Sequence, residues 1–179
     1  SLSFATGSKI YCLIYFRKSQ CDTVEAFIFK DCFMGLPKQK FREIVFQLIF
    51  SHDLSRADDE DSAFFMMRQL AVTKKIMREA IERQHRVCDK IGELDLLIAK
   101  HSLAYKFERI PRVERNILRL GVFEILYDEE IPPPVAIAEA IRLSRKFATP
   151  EGATFVNAVL DAIYQFFKKE KESIACAQN

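Results

Sequence analysis

The chain has 179 residues, enough for one domain or for two small subdomains sharing a core. Its 49% of apolar residues exclude a wholly disordered protein, and a formal net charge of +2 leaves any nucleic-acid contact to local patches. Glycine is scarce, tryptophan is absent, and Leu, Ile, Ala, Phe, Lys, Arg and Glu dominate. That mix predicts helix rather than a sheet-rich fold, because strands need regular Gly and Asn turn punctuation. No apolar run reaches the roughly 18–20 residues of a membrane span. The cysteines, Cys12, Cys21, Cys32, Cys88 and Cys176, are odd in number and include no C-x-x-C pair. Reduced thiols in a cytoplasmic protein are expected, not a disulfide framework or a zinc site.

Residues 1–33 carry aromatics without a clean period, and residues 10–16 form a short apolar run behind Lys9 that lacks a cleavage pattern. They read as an upstream extension that adds little to function, with Met34 the expected natural start. Gly35-Leu36-Pro37 then opens a patterned helix over 38–53, with Phe41, Ile44, Val45, Leu48 and Ile49 at helical spacing. Lys38, Lys40 and Arg42 crowd its first turn, an unfavourable place for cations because the helix dipole is positive there. The pattern allows an ordinary solvated end or a phosphate-contacting patch.

Residues 57–61 read as an acidic loop or helix start. A helix over 60–71 carries Phe64, Phe65, Met66, Met67 and Leu70 as core. Thr73 is the expected N-cap of a long helix reaching about residue 104, which Gly92 kinks or splits. Its stripe runs through Met77, Ala80, Ile81, Gln84, Val87, Cys88 and Ile91, then Leu94, Leu97, Ile98, His101 and Tyr105. His101 reads as a core or boundary histidine, and His52 and His85 have no carboxylate or cysteine at catalytic spacing in the sequence.

The stretch 112–127, RVERNILRLGVFEILY, is apolar nearly all round and is interrupted only by Glu114, Arg115, Arg119 and Glu124 among its charged positions. Such a helix is normally buried on several sides, so it is the expected central strut. Glu124 falls on the stripe of Val113, Ile117 and Leu120, where a carboxylate needs a partner, and internal pairing with an arginine is expected. Pro132-Pro133-Pro134 makes a stiff elbow. The next helix, 134–148, should bury Ile137, Ala140, Ile141 and Ser144 and turn Arg142, Arg145 and Lys146 outward. Thr149-Pro150-Glu151-Gly152 reads as a turn before a last helix over 153–169, packed through Phe155, Val156, Val159, Leu160, Ile163 and Phe167. From 168 the chain is charged, then polar, and is expected to fray.

No glycine-rich phosphate loop, H-E-x-x-H, G-x-S-x-G or paired metal-ligand cluster occurs, so the expectation is a binding protein with no catalytic residues, no metal and no cofactor. The strut, Val113-Glu114-Arg115-Asn116-Ile117-Leu118-Arg119-Leu120-Gly121-Val122-Phe123-Glu124, resembles the V-[DE]-R-A-I-L-R-L-[AG]-x-[YF]-E signature of the NusB transcription antitermination family. Ile131-Pro132, Ile137-Ala138-Glu139-Ala140, Lys146-Phe147-Ala148 and Thr154-Phe155-Val156-Asn157-Ala158-Val159-Leu160-Asp161 follow in the family's order. Residues 94–110 and the helix from Lys40 are also similar to family segments, whereas 1–33 have no counterpart.

The resemblance implies an all-α fold of two small helical-bundle subdomains sharing a core, here 34–108 and 109–170, with 171–179 a frayed tail. It implies a non-catalytic antitermination factor that binds boxA RNA of nascent ribosomal transcripts together with NusE, a small-subunit ribosomal protein, and acts on RNA polymerase elongation. By motif, Lys38, Lys40 and Arg42 occupy the family's RNA-contacting basic segment, Lys146, Phe147 and Phe155 lie near the same surface, and Glu114 matches an acidic position facing NusE. The sequence departs from the family in Lys38-Gln39, where two arginines are usual, and in Phe41, where alanine is usual. It departs again in Ala138 and Ala158, which replace an asparagine and a glycine. Lysine is a point charge without arginine's fork, so weaker RNA binding is expected. Two other readings stand beside this one: the NusB-like domain of an RNA cytosine methyltransferase, which would need a catalytic domain this sequence does not contain, and a helical protein–protein adaptor without RNA binding.

Overall fold

The structure, a computed structural model, describes residues 36–55, 72–103 and 105–177, and every described element is α-helical or a short 3-10 turn. The expected acidic segment at 57–61, the helix at 60–71 and residues 1–33 lie outside the described residues. Among the described residues of the unit Lys38–Asn179 there are six helices: α1 (Lys38–Ser55), α2 (Lys74–Cys88), α3 (Ile91–His101), α4 (Arg112–Tyr127), α5 (Pro133–Phe147) and α6 (Pro150–Ala177). Among the described residues no helix is long and apolar enough to cross a membrane.

Helix α4 is the strut that its sequence predicts. It packs against each of the five other described helices, and Ile117, Leu118, Leu120, Val122 and Phe123 are buried. A helix enclosed on every side must bury its polar positions too, and Glu114, Asn116, Arg119 and Glu124 are each buried. Each needs a partner, and α4 therefore carries polar junctions as well as apolar contacts. Gly121 sits where α4 meets α5 and α6. A Cβ there would lie 2.9 Å from Leu160 Cδ1 and 3.4 Å from the Ala140 Cβ, so the missing side chain sets the distance between the helices.

The caps explain most element boundaries. Thr73 Oγ1 accepts from the Ile76 N–H at 3.4 Å and begins α2. The expected single helix over 73–104 is broken at Asp89-Lys90, not at Gly92, which lies inside the first turn of α3. There the Lys90 N–H reaches back only to Val87 O at 3.1 Å, tightening the last turn of α2, and Leu94 N–H to Lys90 O starts α3. Pro132 and Pro133 set the start of α5, one residue before the expected point. Helix α6 starts three residues early. Thr149 Oγ1 accepts from the Gly152 N–H at 3.1 Å, which makes Thr149 a cap and Pro150 the first helical residue, so the expected turn is the first turn of the helix.

Two charged junctions bind the helices. Arg119 of α4 makes a fork of two 2.7 Å bonds to the Asp95 carboxylate of α3 and a 3.0 Å bond to Asp53 of α1. Asn116 bonds both Asp53 and Arg119. Burial raises the Asp53 carboxyl, but the hydrogen bonds from Arg119 and Asn116 and the charges of Arg119 and Arg112 outweigh it and hold the group below its ordinary value. The second junction lies at the other end of α1 and forms the floor of the site described next.

Candidate nucleic-acid interface

The first turn of α1 contains no acidic residue, and Lys38, Gln39 and Lys40 are exposed there. The first N–H groups of the helix and the positive end of its dipole coincide with two ammonium groups, an arrangement suited to anions. Neither lysine has a carboxylate partner among the described residues. Arg42, only one turn further on, is different. It is 7% exposed, and its Nε donates to both Glu124 oxygens at 2.9 and 3.1 Å, while Nη1 lies 3.9 Å from Glu139 Oε2. The arginine expected to neutralise Glu124 is thus one of the cations that the sequence places on the basic segment. Spacing explains the inward turn: Arg42, Val45, Phe46 and Ile49 lie on one face of α1, and the last three are almost fully buried.

The same junction fixes α1 against α5. Gln39 Nε2 donates to Glu139 Oε1 at 3.3 Å, and the Gln39 carbonyl accepts from Arg142 Nη2 at 3.0 Å. Arg142 also bonds Glu139 at 2.9 Å and Glu43 at 2.7 Å, and Lys146 Nζ bonds the other Glu43 oxygen at 2.6 Å. Burial raises the Glu43 carboxyl, yet the bonds and charges of Lys146 and Arg142 together hold it below its ordinary value. For Glu124 the balance is reversed. Burial pushes it up, and the nearby Arg42 and Arg83 lower it less.

Of the aromatic candidates, Phe147 is half-buried with its ring 5.0 Å from that of Phe46, and Lys146 Nζ stands 5.4 Å over the Phe147 ring. Lys38, Lys40, Lys146 and Phe147 therefore belong to the two helix ends joined by the Glu43–Glu139 lattice. Phe155 lies elsewhere, half-buried on α6 and edge-on to Tyr105 at 5.3 Å. Glu114 is 6% exposed, with its carboxylate against the first turn of α6, where a Cβ at Gly152 would lie 2.6 Å from Glu114 Oε1. An acid there complements the positive end of α6.

Two histidines acquire neighbours from the fold. His101 is half-buried, bonds Leu97 O through Nδ1 at 2.9 Å and meets Phe166 edge-on at 5.3 Å, the boundary role its stripe predicts. His52 Nδ1 lies 3.7 Å from Cys88 Sγ, a meeting across 36 residues that sequence spacing does not reveal.

Residues 39–165 match the model of the NusB family. The chain belongs to the NusB family. The transcription antitermination protein NusB of Chlamydia pneumoniae is 35% identical over 128 residues, covering 72% of this chain and 80% of that protein. Among solved structures, T. maritima NusB superposes with a TM-score of 0.65 at 29% identity, covering 74% of this chain and 93% of its own. A chain from the crystal structure of antitermination factors NusB and NusE in complex with dsRNA gives a TM-score of 0.63 at 27% identity, covering 72% and 96%. The NusB-family match takes in Lys40, Arg42, Glu114, Lys146, Phe147 and Phe155 and begins one residue after Lys38.

Proposed function

We propose that this chain is a non-catalytic transcription antitermination factor that binds boxA RNA of nascent ribosomal transcripts together with NusE and thereby acts on RNA polymerase elongation in the cytoplasm. The observation that carries the reading is the exposed Lys38/Lys40 pair, without a carboxylate partner among the described residues, at an acid-free helix start in a chain of the NusB family. The resemblance of the sequence to the family motifs and the solved complex named for NusB, NusE and dsRNA supply the partners.

Charge alone gives such a protein reach along a phosphate backbone, and unstacked bases supply selectivity. Two lysines make a weak, salt-sensitive contact. NusE, bringing its own RNA surface, raises apparent affinity through effective concentration. Within this reading Lys38, Lys40, Lys146 and Phe147 meet RNA, Phe155 adds an aromatic edge, and Arg42 acts from below by holding α1 on α4. Glu114 acts on the NusE side by positioning the first turn of α6.

A Lys38→Gln/Lys40→Gln variant should bind boxA and scrambled RNA more weakly by similar factors. The dependence of log affinity on log salt should become shallower by roughly 1–1.5, the contribution of about two phosphates on a single strand. NusE binding, measured by calorimetry, should be retained. Equal RNA affinity with and without NusE would sink the cooperative part. The adaptor reading draws on one observation, the neutralisation of Arg42, Arg142 and Lys146 by carboxylates. On that reading the double variant changes nothing.

A further inference from the structure

Helices α5 and α6 are joined by only Ala148 and Thr149, and their facing ends leave an open groove of about 490 Å³. The volume lies within the roughly 300–1,000 Å³ of small-ligand sites. Ile141, Pro150 and Ala153 supply apolar surface, while Arg145, Thr154 and Asn157 supply the polar groups.

The cations of α5 are not equivalent. Arg142 and Lys146 both bond Glu43, whereas Arg145 is exposed and has no carboxylate partner among the described residues. A guanidinium left unneutralised beside a groove is the natural partner of a phosphate, which it meets with a planar fork. Asn157 is exposed one to two turns into α6 and offers both an amide donor and a carbonyl acceptor, the combination needed to read a base edge. Thr154 donates to Pro150 O at 3.3 Å, which leaves its oxygen an acceptor at the groove wall. Apolar surface, one free cation and one free amide together match a single nucleotide unit, with its base on the apolar wall and its phosphate at Arg145. The base must be unpaired, because in an A-form duplex its edge and faces are occupied by pairing and stacking.

We infer that the α5–α6 groove is a nucleotide subsite in which Arg145 holds a backbone phosphate and Asn157 reads the edge of one unpaired base of single-stranded RNA. The inference rests on the RNA-binding reading above and deepens it: Arg145 joins Lys146 as a cation of α5 that meets RNA, and selectivity gains a named residue.

The test is a titration of labelled boxA RNA, its scrambled counterpart and the boxA strand annealed to its complement. The full chain and its Arg145→Gln, Asn157→Ala and Lys38→Gln/Lys40→Gln variants are each titrated alone and with NusE, at two or more salt concentrations. Arg145→Gln should weaken binding of both single strands by about tenfold, the scale of one charge-assisted hydrogen bond, and reduce the salt slope by about 0.7. Asn157→Ala should weaken boxA but not scrambled RNA and leave the slope unchanged. The duplex should be indifferent to Asn157. Both side chains are exposed, so unchanged melting curves are expected to accompany these losses. If the wild-type chain binds no RNA under any condition, the RNA reading and the subsite fall together. If Lys38→Gln/Lys40→Gln weakens binding while the groove variants bind as wild type, the subsite alone is overturned. Loss of NusE binding with intact RNA binding would make the groove a protein-docking surface and overturn it as well.

Discussion

Removing the Arg42 guanidinium would strand the Glu124 carboxylate, 3% exposed, without its only direct ion-pair partner among the described residues. A buried charge that loses its partner costs about 3–5 kcal/mol, whereas replacing both members with apolar residues is often neutral. Urea titrations should therefore find Arg42→Ala strongly destabilised and Arg42→Met/Glu124→Leu close to wild type. A small loss in Arg42→Ala would mean that water relieves the carboxylate. Acidity probes the same lattice through other members. Glu43 and Asp53 are held below their ordinary values of 4.5 and 3.8, so the stability each contributes is complete above those values and is lost as pH falls through the depressed folded value. Glu124 has the opposite sign: its contribution is complete below 4.5 and is lost as pH rises through its raised folded value. Thermal melts between pH 5 and 2 should thus fall steeply for the wild type and less steeply for Glu43→Gln/Asp53→Asn. Parallel curves would place the acid sensitivity elsewhere. The buried Glu124 and its need for an arginine are legible in the sequence, because a carboxylate on an apolar stripe has few alternatives. Which arginine answers it is not, since the partner lies 82 residues away on another helix. A separation of 103 residues likewise hides the neutralisation of Lys146 by Glu43, and with it the different status of Arg145.

Helix by helix, the sequence is most readable where one local rule decides. The continuous apolar surface of α4 marks it as the strut, and Thr73 marks the start of α2. Where two local signals compete, reading fails. Thr149-Pro150-Glu151-Gly152 has the composition of a turn and also the order of a helix start, and the Gly152 N–H bonded to Thr149 Oγ1 decides for the helix. Gly152 has a further role that composition conceals, since its missing Cβ leaves room for the Glu114 carboxylate. Gly152→Ala should lower stability in guanidinium titrations while Glu114 is present. In a Glu114→Ala background the same change should be neutral or stabilising, by up to the about 1 kcal/mol by which alanine exceeds glycine in a helix. Identical effects in both backgrounds would show that the two residues do not share that space.

Across the molecule, the Arg119–Asp53–Asp95 and Arg42–Glu124–Glu139 junctions hold opposite ends of α1, so its position depends on helices distant in sequence. The first turn of α1 is where this support is least complete. Two ammonium groups stand at the positive end of a dipole with no acid in that turn, which weakens the end of the helix in the free protein. A bound polyanion would supply the missing negative charge, and any ligand that favours the formed turn must stabilise it in return. Amide exchange should accordingly slow at 38–41 on RNA binding, more at low salt than at high, while the interior of α4 keeps the protection it already has. RNA would then be the N-terminal cap of α1, the element that completes the protein's own secondary structure.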